Sequence, residues 1–266
     1  MRQSVIDATR IVVKIGSSTL THDNGTVNLE KIEHISRVLT DLENAGKQVI
    51  LVSSGAVAAG VQRLGLARTP SELPLKQATA AIGQAILMNI YEKFFNEYNQ
   101  VIAQILLTRD VLEDEIKKRN AKNTFFTLLE LGVIPIINEN DCISTTEIER
   151  YRFGDNDTLS ATVAELVEAD LLVLLTDIDG LYTGNPKEDP EATIIKEVKK
   201  ITPQIKALAG GAGSRFGTGG MTTKIQAAEL AAETNIPTVI ALGDQIEILR
   251  NILHGEEVGT LFCAEN

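Results

Sequence analysis

Short apolar runs alternate along the chain with longer stretches in which apolar residues recur every three or four positions. The runs at 10–15, 48–53, 101–107, 133–138, 170–175 and 237–241 are rich in aliphatic and β-branched residues and predict strands. The longer stretches predict helices at 28–45, 55–64, 76–98, 119–131, 157–169, 220–234 and 245–253. Alternating elements of this kind predict βα units wound around a mainly parallel sheet. Two segments break the rhythm. Residues 141–153, DCISTTEIERYRF, have the β-branched and aromatic content of a hairpin, and residues 178–217 hold IDGLYTGNP, a helical patch near 201–208 and most of the glycine-rich GGAGSRFGTGG, which ends at Gly220. Long interruptions in a compact α/β chain belong to function, and the expected place for them is the sheet edge beyond the carboxyl ends of the strands.

Composition narrows the partners more than the fold. The 266 residues carry a formal net charge of −11, and the lysines and arginines are scattered rather than massed in one segment. Nucleic acid and anionic membrane are poor partners for such a chain, because phosphate surfaces reward basic patches. Cys142 and Cys263 stand far apart, and His22, His34 and His254 lie in separate segments, which argues against a disulfide framework, a zinc site or a histidine-based triad. The first ten residues, MRQSVIDATR, contain no apolar signal core, and the run LLVLL at 171–175 is too short to span a bilayer. A soluble, cytoplasmic protein is expected.

Four polar loops follow apolar strands. In IVVKIGSSTL, Lys14 closes the first run and Gly16-Ser17-Ser18 follow it. A lysine stem reaching water along an apolar surface explains this, and so does an anion site built from an ammonium and a turn of backbone N–H groups. In VSSGA, Ser53, Ser54 and Gly55 precede a helix, where a serine commonly caps and where an anion is also favoured. In INEND and FGDNDTLSA, one acidic or amide residue before a helix is an ordinary cap. Asn138, Asn140, Asp141, Asn156 and Asp157 together are more than caps require and suit a pocket for a small polar molecule. In GTGGMTTK, Lys224 falls in the first turn of a helix, three residues beyond the place a Walker A lysine would take. Two lysines from opposite ends of the chain, each beside a glycine-rich turn, point to phosphoryl transfer, which needs alignment and positive charge around the moving group.

The ordered series KIGSSTL, VSSGAVAAG, LLTRDV, INENDCIS, FGDNDTLSA, LLTDIDGLYTGNP, GTGGMTTK and VGTLF resembles the amino acid kinase superfamily over essentially the whole chain. The resemblance is to the branch that phosphorylates the γ-carboxylate of L-glutamate with ATP, the first step towards proline. It implies a three-layer αβα sandwich with a mainly parallel central sheet. It also implies that Lys14 and Lys224 stabilise the transferring phosphoryl group and that Asp157 holds both lysines. Ser54, Asp141 and Asn156 fall on glutamate-binding positions. Lys14, Gly16, Thr176, Asp177 and the stretch Thr218, Gly219, Gly220, Met221, Thr222, Thr223 and Lys224 fall on ATP-binding positions. Mg²⁺ is implied on the phosphates and water, with no metal site of protein ligands. Many members of this branch carry a C-terminal PUA domain, whereas this chain stops soon after VGTLF at 258–262. It resembles the short form, so residues 1–266 are expected to be one kinase domain without a PUA domain. The N-terminal half would hold the amino acid and the C-terminal half the nucleotide.

The same resemblance implies a homo-oligomer, dimer or tetramer, and inhibition by proline overlapping the glutamate site near 141–153. Sister kinases acting on N-acetylglutamate, aspartate, carbamate or a nucleoside monophosphate are the nearest alternatives, and a non-catalytic amino-acid sensor is the alternative of another class. A dinucleotide-binding dehydrogenase fits poorly, because no GxGxxG follows the first strand.

Overall fold

The computed structural model describes residues 2–108, 111, 113–143, 156–186, 188–209 and 220–264. Thr218, Gly219, almost all of the GGAGSRFGTGG stretch and most of the expected 141–153 hairpin lie outside the described residues. Among the described residues there are ten helices and an eight-stranded, mainly parallel central sheet, the α/β architecture expected from the alternating pattern. The chain divides into two compact units, one formed by residues 15–152 and the other by 1–14 with 153–266.

In the unit of residues 15–152 the strands are β2 (Gln48–Val52), β3 (Ile102–Leu107) and β4 (Ile134–Glu139), in the order β3-β4-β2 and all parallel. Four larger helices accompany them: α3 (Leu29–Asn44), α4 (Ala56–Leu64), α5 (Leu73–Glu97) and α6 (Glu115–Glu130). Local chemistry fixes their starts. Asn28 accepts a hydrogen bond from Lys31 N at 3.0 Å, and Asp114 accepts from Ile116 N and Lys117 N at 2.9 and 3.0 Å, satisfying amides that a helix leaves without partners. The Asp114 cap is why α6 begins at Glu115, four residues before the start predicted from apolar spacing. Gly55, with φ 97°, takes the left-handed turn that leads β2 into α4.

The helices α4 and α5 touch backbone to backbone. A methyl group on Gly83 would stand 1.7 Å from the Ala56 carbonyl oxygen, and one on Gly60 would stand 2.0 Å from that of Thr79. Glycine inside a helix costs about 1 kcal/mol relative to alanine, so its presence at both crossing points marks a contact that no side chain would permit.

The other unit carries β1 (Arg10–Ile15), β5 (Leu171–Thr176), β6 (Glu197–Val198), β7 (Thr238–Leu242) and β8 (Thr260–Phe262), in the order β1-β5-β7-β8-β6. β5 pairs with β7 in parallel, whereas β8 runs antiparallel to β7 and parallel to β6. Every residue of β5 is buried, as a strand covered on both faces requires, and its sequence LLVLLT accordingly shows no alternation. The Asp170 carboxylate accepts from the Thr9 and Arg10 amides at 2.8 and 2.7 Å and so pins the start of β1. The helices are α1 (Gln3–Ile6), α7 (Asn156–Leu166), α8 (Pro203–Ala209), α9 (Met221–Glu233) and α10 (Ile248–Leu253). α1, β6, β8 and α2 (Ser17–Leu20), the last in the first unit, were absent from the sequence prediction. Each is four residues or fewer, too short for a period to register.

Candidate functional site

Three side chains from three elements meet in the unit of residues 1–14 and 153–266. Lys14 leaves the penultimate position of β1, Asp157 the second position of α7 and Lys224 the first turn of α9. Lys14 Nζ lies 2.5 Å from Asp157 Oδ1, and Lys224 Nζ lies 3.2 Å from Oδ2. Asp157 is fully buried, and both lysines are only 4% exposed. Carrying an ammonium out of water costs several kcal/mol unless it is paired, so a strand-end lysine that merely snorkels to solvent is ruled out for Lys14. Asp157 is placed well to hold charge, because the first turn of a helix favours an anion. The three side chains together carry two positive charges against one negative.

Thr223 adds a neutral tether. Its hydroxyl lies 2.9 Å from Asp157 Oδ2 and 2.8 Å from the Gly220 carbonyl oxygen, linking the residue that precedes α9 to the same carboxylate. Of the other predicted nucleotide positions, Met221 is buried and Thr222 is exposed, both at the start of α9, with Gly220 as the residue before it. Thr176 ends β5, is buried, and donates its hydroxyl to Asp177 Oδ1 at 2.9 Å, while Asp177 itself is exposed. Gly16, beside Lys14 in sequence, is a buried residue preceding α2.

The predicted amino-acid positions divide between the units. Asn156 opens α7, next to Asp157. Ser54 and Asp141 belong to the unit of residues 15–152, Ser54 in the turn between β2 and α4 and Asp141 in the turn after β4. In that unit Ser53 N donates to the Ile137 carbonyl of β4 at 2.9 Å, which extends the β2–β4 pairing by one bond to the start of the Ser53–Ser54 turn. Burial pushes the Asp141 carboxyl above its ordinary range, with the Lys76 ammonium of α5 acting in the opposite direction.

Two participants were not singled out from the sequence. Tyr91 OH pairs with Ser53 Oγ at 2.9 Å in a fully buried setting, and Gln84 Oε1 accepts from Asn138 Nδ2 at 2.9 Å. In the sequence both sit inside a long helical pattern and read as ordinary helix residues. Their only local signal is spacing, since residues seven apart share a helix face.

The chain belongs to the amino acid kinase family, whose family model matches residues 9–242. Within that class its similarity is concentrated on one activity name. A protein named glutamate 5-kinase from Clostridium perfringens is 55% identical over 266 residues, covering 100% of this chain and 99% of that one. Another of the same name from Listeria monocytogenes is 50% identical, covering 100% of this chain and 96% of its own length. The solved structure of a carbamate kinase from Giardia lamblia bound to AMP-PNP shares the fold at a TM-score of 0.68 and 16% identity, with 98% of this chain and 100% of that one covered.

Proposed function

We propose that the chain catalyses ATP-dependent phosphorylation of the γ-carboxylate of L-glutamate, giving ADP and L-glutamyl 5-phosphate, the first committed step towards proline. The observation that carries this reading is the pair of buried ammonium groups, Lys14 and Lys224, gathered on the one carboxylate of Asp157. Full-length identity of 50–55% to proteins named glutamate 5-kinase supports glutamate as the acceptor.

A γ-carboxylate has a reference pKa of about 4.3 and is therefore ionised at neutral pH. One of its oxygens attacks the γ-phosphorus while the bond from that phosphorus to the β,γ-bridging oxygen breaks, and ADP leaves with the electron pair. No proton has to be removed from the nucleophile, so the reaction needs no general base. Lys14 and Lys224 offset the charge on the phosphoryl oxygens as it redistributes, and Asp157 keeps two mutually repelling ammonium groups at fixed positions. Ser54, Asp141 and Asn156 hold glutamate. Gly16, Thr176, Asp177 and the stretch from Thr218 to Lys224 hold the nucleotide.

Among the described residues no group of three or more His, Cys, Asp or Glu side chains stands where it would cage a metal. Mg²⁺ would come on the phosphate oxygens of ATP and water and would supply charge neutralisation beside that of Lys14 and Lys224. The proposal includes a cytoplasmic setting, a homo-oligomer and feedback by proline. Among the described residues no helix is long and apolar enough to cross a membrane.

The test is ADP release with a panel of acceptors, L-glutamate, N-acetylglutamate, L-aspartate, carbamate and UMP, each with and without proline, together with trapping of the acyl phosphate by hydroxylamine. Glutamate-dependent ADP release with formation of the glutamyl hydroxamate is the expected result. Release of ADP with another acceptor in preference to glutamate, or with none, overturns the reading.

A further inference from the structure

The helix α5 bonds to the turn after β2 and to the end of β4, the two places that lead to the predicted amino-acid contacts in its unit. Tyr91 reaches the turn after β2: its ring is 0% exposed, Ser53 is 1% exposed, and their oxygens are 2.9 Å apart. Ser53 Oγ in turn lies 3.2 Å from the Ser54 carbonyl oxygen. With Ser53 donating to that carbonyl, the Tyr91 hydroxyl donates to Ser53. Each proton is used once, and the two bonds reinforce each other in a low-dielectric surrounding. The ring hydroxyl stays protonated, since burial raises its pKa and an anion there would be poorly solvated.

Gln84 reaches the end of β4, just before the turn that holds Asp141. Its Oε1 accepts from Asn138 Nδ2, and Asn138 Oδ1 accepts from the Glu139 amide, three and two residues before Asp141. Gln84 and Tyr91 are seven residues apart, about 10 Å along the axis and on one face. Between the turns and the helix there is no slack. Gly83 is pressed against the carbonyl of Ala56, the residue that begins α4 only two positions after Ser54.

We propose that Tyr91 and Gln84 are positioning residues for the amino-acid site, setting the Ser53–Ser54 turn and the end of β4 that leads to Asp141 at a fixed separation through one rigid helix. The proposal rests on the reading of Ser54 and Asp141 as glutamate contacts. Neither residue touches substrate. Their effect is on where Ser54 and Asp141 stand, which makes glutamate affinity the quantity they control, while the Lys14–Asp157–Lys224 cluster belongs to the other unit and has its own anchors.

The experiment compares the full chain with Tyr91→Phe, Ser53→Ala, the double variant of these two, and Gln84→Met. It measures kcat, KM for glutamate, KM for ATP and Tm. A net hydrogen bond contributes about 1 kcal/mol, which converts to roughly a five-fold change. Tyr91→Phe and Gln84→Met are expected to raise the glutamate KM about five-fold each and to leave the ATP KM within about two-fold. The double variant is expected to be no worse than its more affected parent, because both substitutions remove the same bond. A lower Tm with unchanged glutamate KM in Tyr91→Phe and Gln84→Met overturns the proposal and leaves the residues as core supports. An equal rise in both KM values overturns it too. Should a tyrosine variant fail to fold, Ser53→Ala and Gln84→Met decide on the same criteria. If the wild type is active with glutamate and the variants match it, positioning fails alone. If the wild type does not use glutamate, the functional reading fails and positioning falls with it.

Discussion

Asp157 is the residue on which the charge arrangement turns. Two unit charges 4 Å apart interact by about 4 kcal/mol at an effective dielectric of 20, so a carboxylate between two ammonium groups offsets a repulsion large enough to displace either one. Lys14→Ala and Lys224→Ala are each expected to lower kcat by roughly 10² to 10³, the scale of losing one electrostatic donor to a transition state. Asp157→Asn keeps the shape and removes the charge, and should lower kcat more than it raises either KM. Steady-state kinetics on folded variants check this, and a normal kcat in any of the three sinks the assignment. Asp141 carries a different prediction. The α-ammonium of glutamate loses hydration on binding and needs a charged or strongly polar partner, and a hydrogen bond to a charged group contributes about 1.5–3 kcal/mol. Asp141→Asn should therefore raise the glutamate KM roughly 10- to 100-fold and barely move the ATP KM. The sign of the pH effect follows from burial, which raises the Asp141 pKa. As pH falls through that raised value, the carboxylate is neutralised and its grip on the ammonium is lost. The glutamate KM should climb at a pH above the ordinary aspartate range in the wild type, and this limb should be missing from Asp141→Asn. A limb that persists in the variant belongs to the substrate or to another group.

At the scale of elements, the α4–α5 pair shows how a helix contact sets a loop. Gly83→Ala would drive a methyl group to 1.7 Å from backbone that cannot yield without moving α4, whose first residue follows the Ser54–Gly55 turn. Overpacking of this kind costs about 1–3 kcal/mol or more, and each 1 kcal/mol shifts Tm by roughly 2–4 °C in chains of 150–250 residues. The expected result is a Tm several degrees lower together with a higher glutamate KM. Gly46→Ala is the contrast. Nothing stands within 4 Å of a methyl group there, and only its φ of 85° is at stake, a cost of about 1–2 kcal/mol with no effect on KM. A glutamate KM unchanged in a destabilised Gly83→Ala would separate the helix contact from the turn. Element boundaries show the same division between local and distant causes. The strand 10–15 and the helix 28–45 were readable almost to the residue, because an apolar run and an amphipathic period state themselves locally. The start of α6 was not, since it is decided by the single Asp114 cap rather than by spacing.

For the molecule as a whole, the net charge of −11 works against anionic partners, whereas the two ammonium groups of Lys14 and Lys224 form a local, buried excess of positive charge. The cluster of Lys14, Asp157 and Lys224 lies in one compact unit, while Ser54 and Asp141 lie in the other. Hydrogen exchange should therefore give two different maps. A non-hydrolysable ATP analogue alone should protect amides in the first turn of α9, and L-glutamate alone should protect residues 53–56 and 138–141 and the start of α7. One identical map from both ligands would contradict this division.

The eight motif blocks, the alternation of elements and the placing of Lys14 and Lys224 beside glycine-rich turns were legible in the sequence alone, because apolar runs and glycine-rich turns carry their meaning within a few neighbouring positions, whereas Asp157 as the holder of both lysines came from the resemblance to the amino acid kinase superfamily. Tertiary structure decided what those residues do to each other. No spacing connects positions 14, 157 and 224, and only the packing of β1, α7 and α9 brings two ammonium groups to opposite oxygens of one carboxylate. Thr223 gained a partner in Asp157 by the same packing. Tyr91 and Gln84 were invisible for the complementary reason. On a helix as apolar as α5, a tyrosine or a glutamine has no local signature of its partners, and those partners exist only where the folded chain lays the helix across the turn with Ser53 and the end of β4 with Asn138.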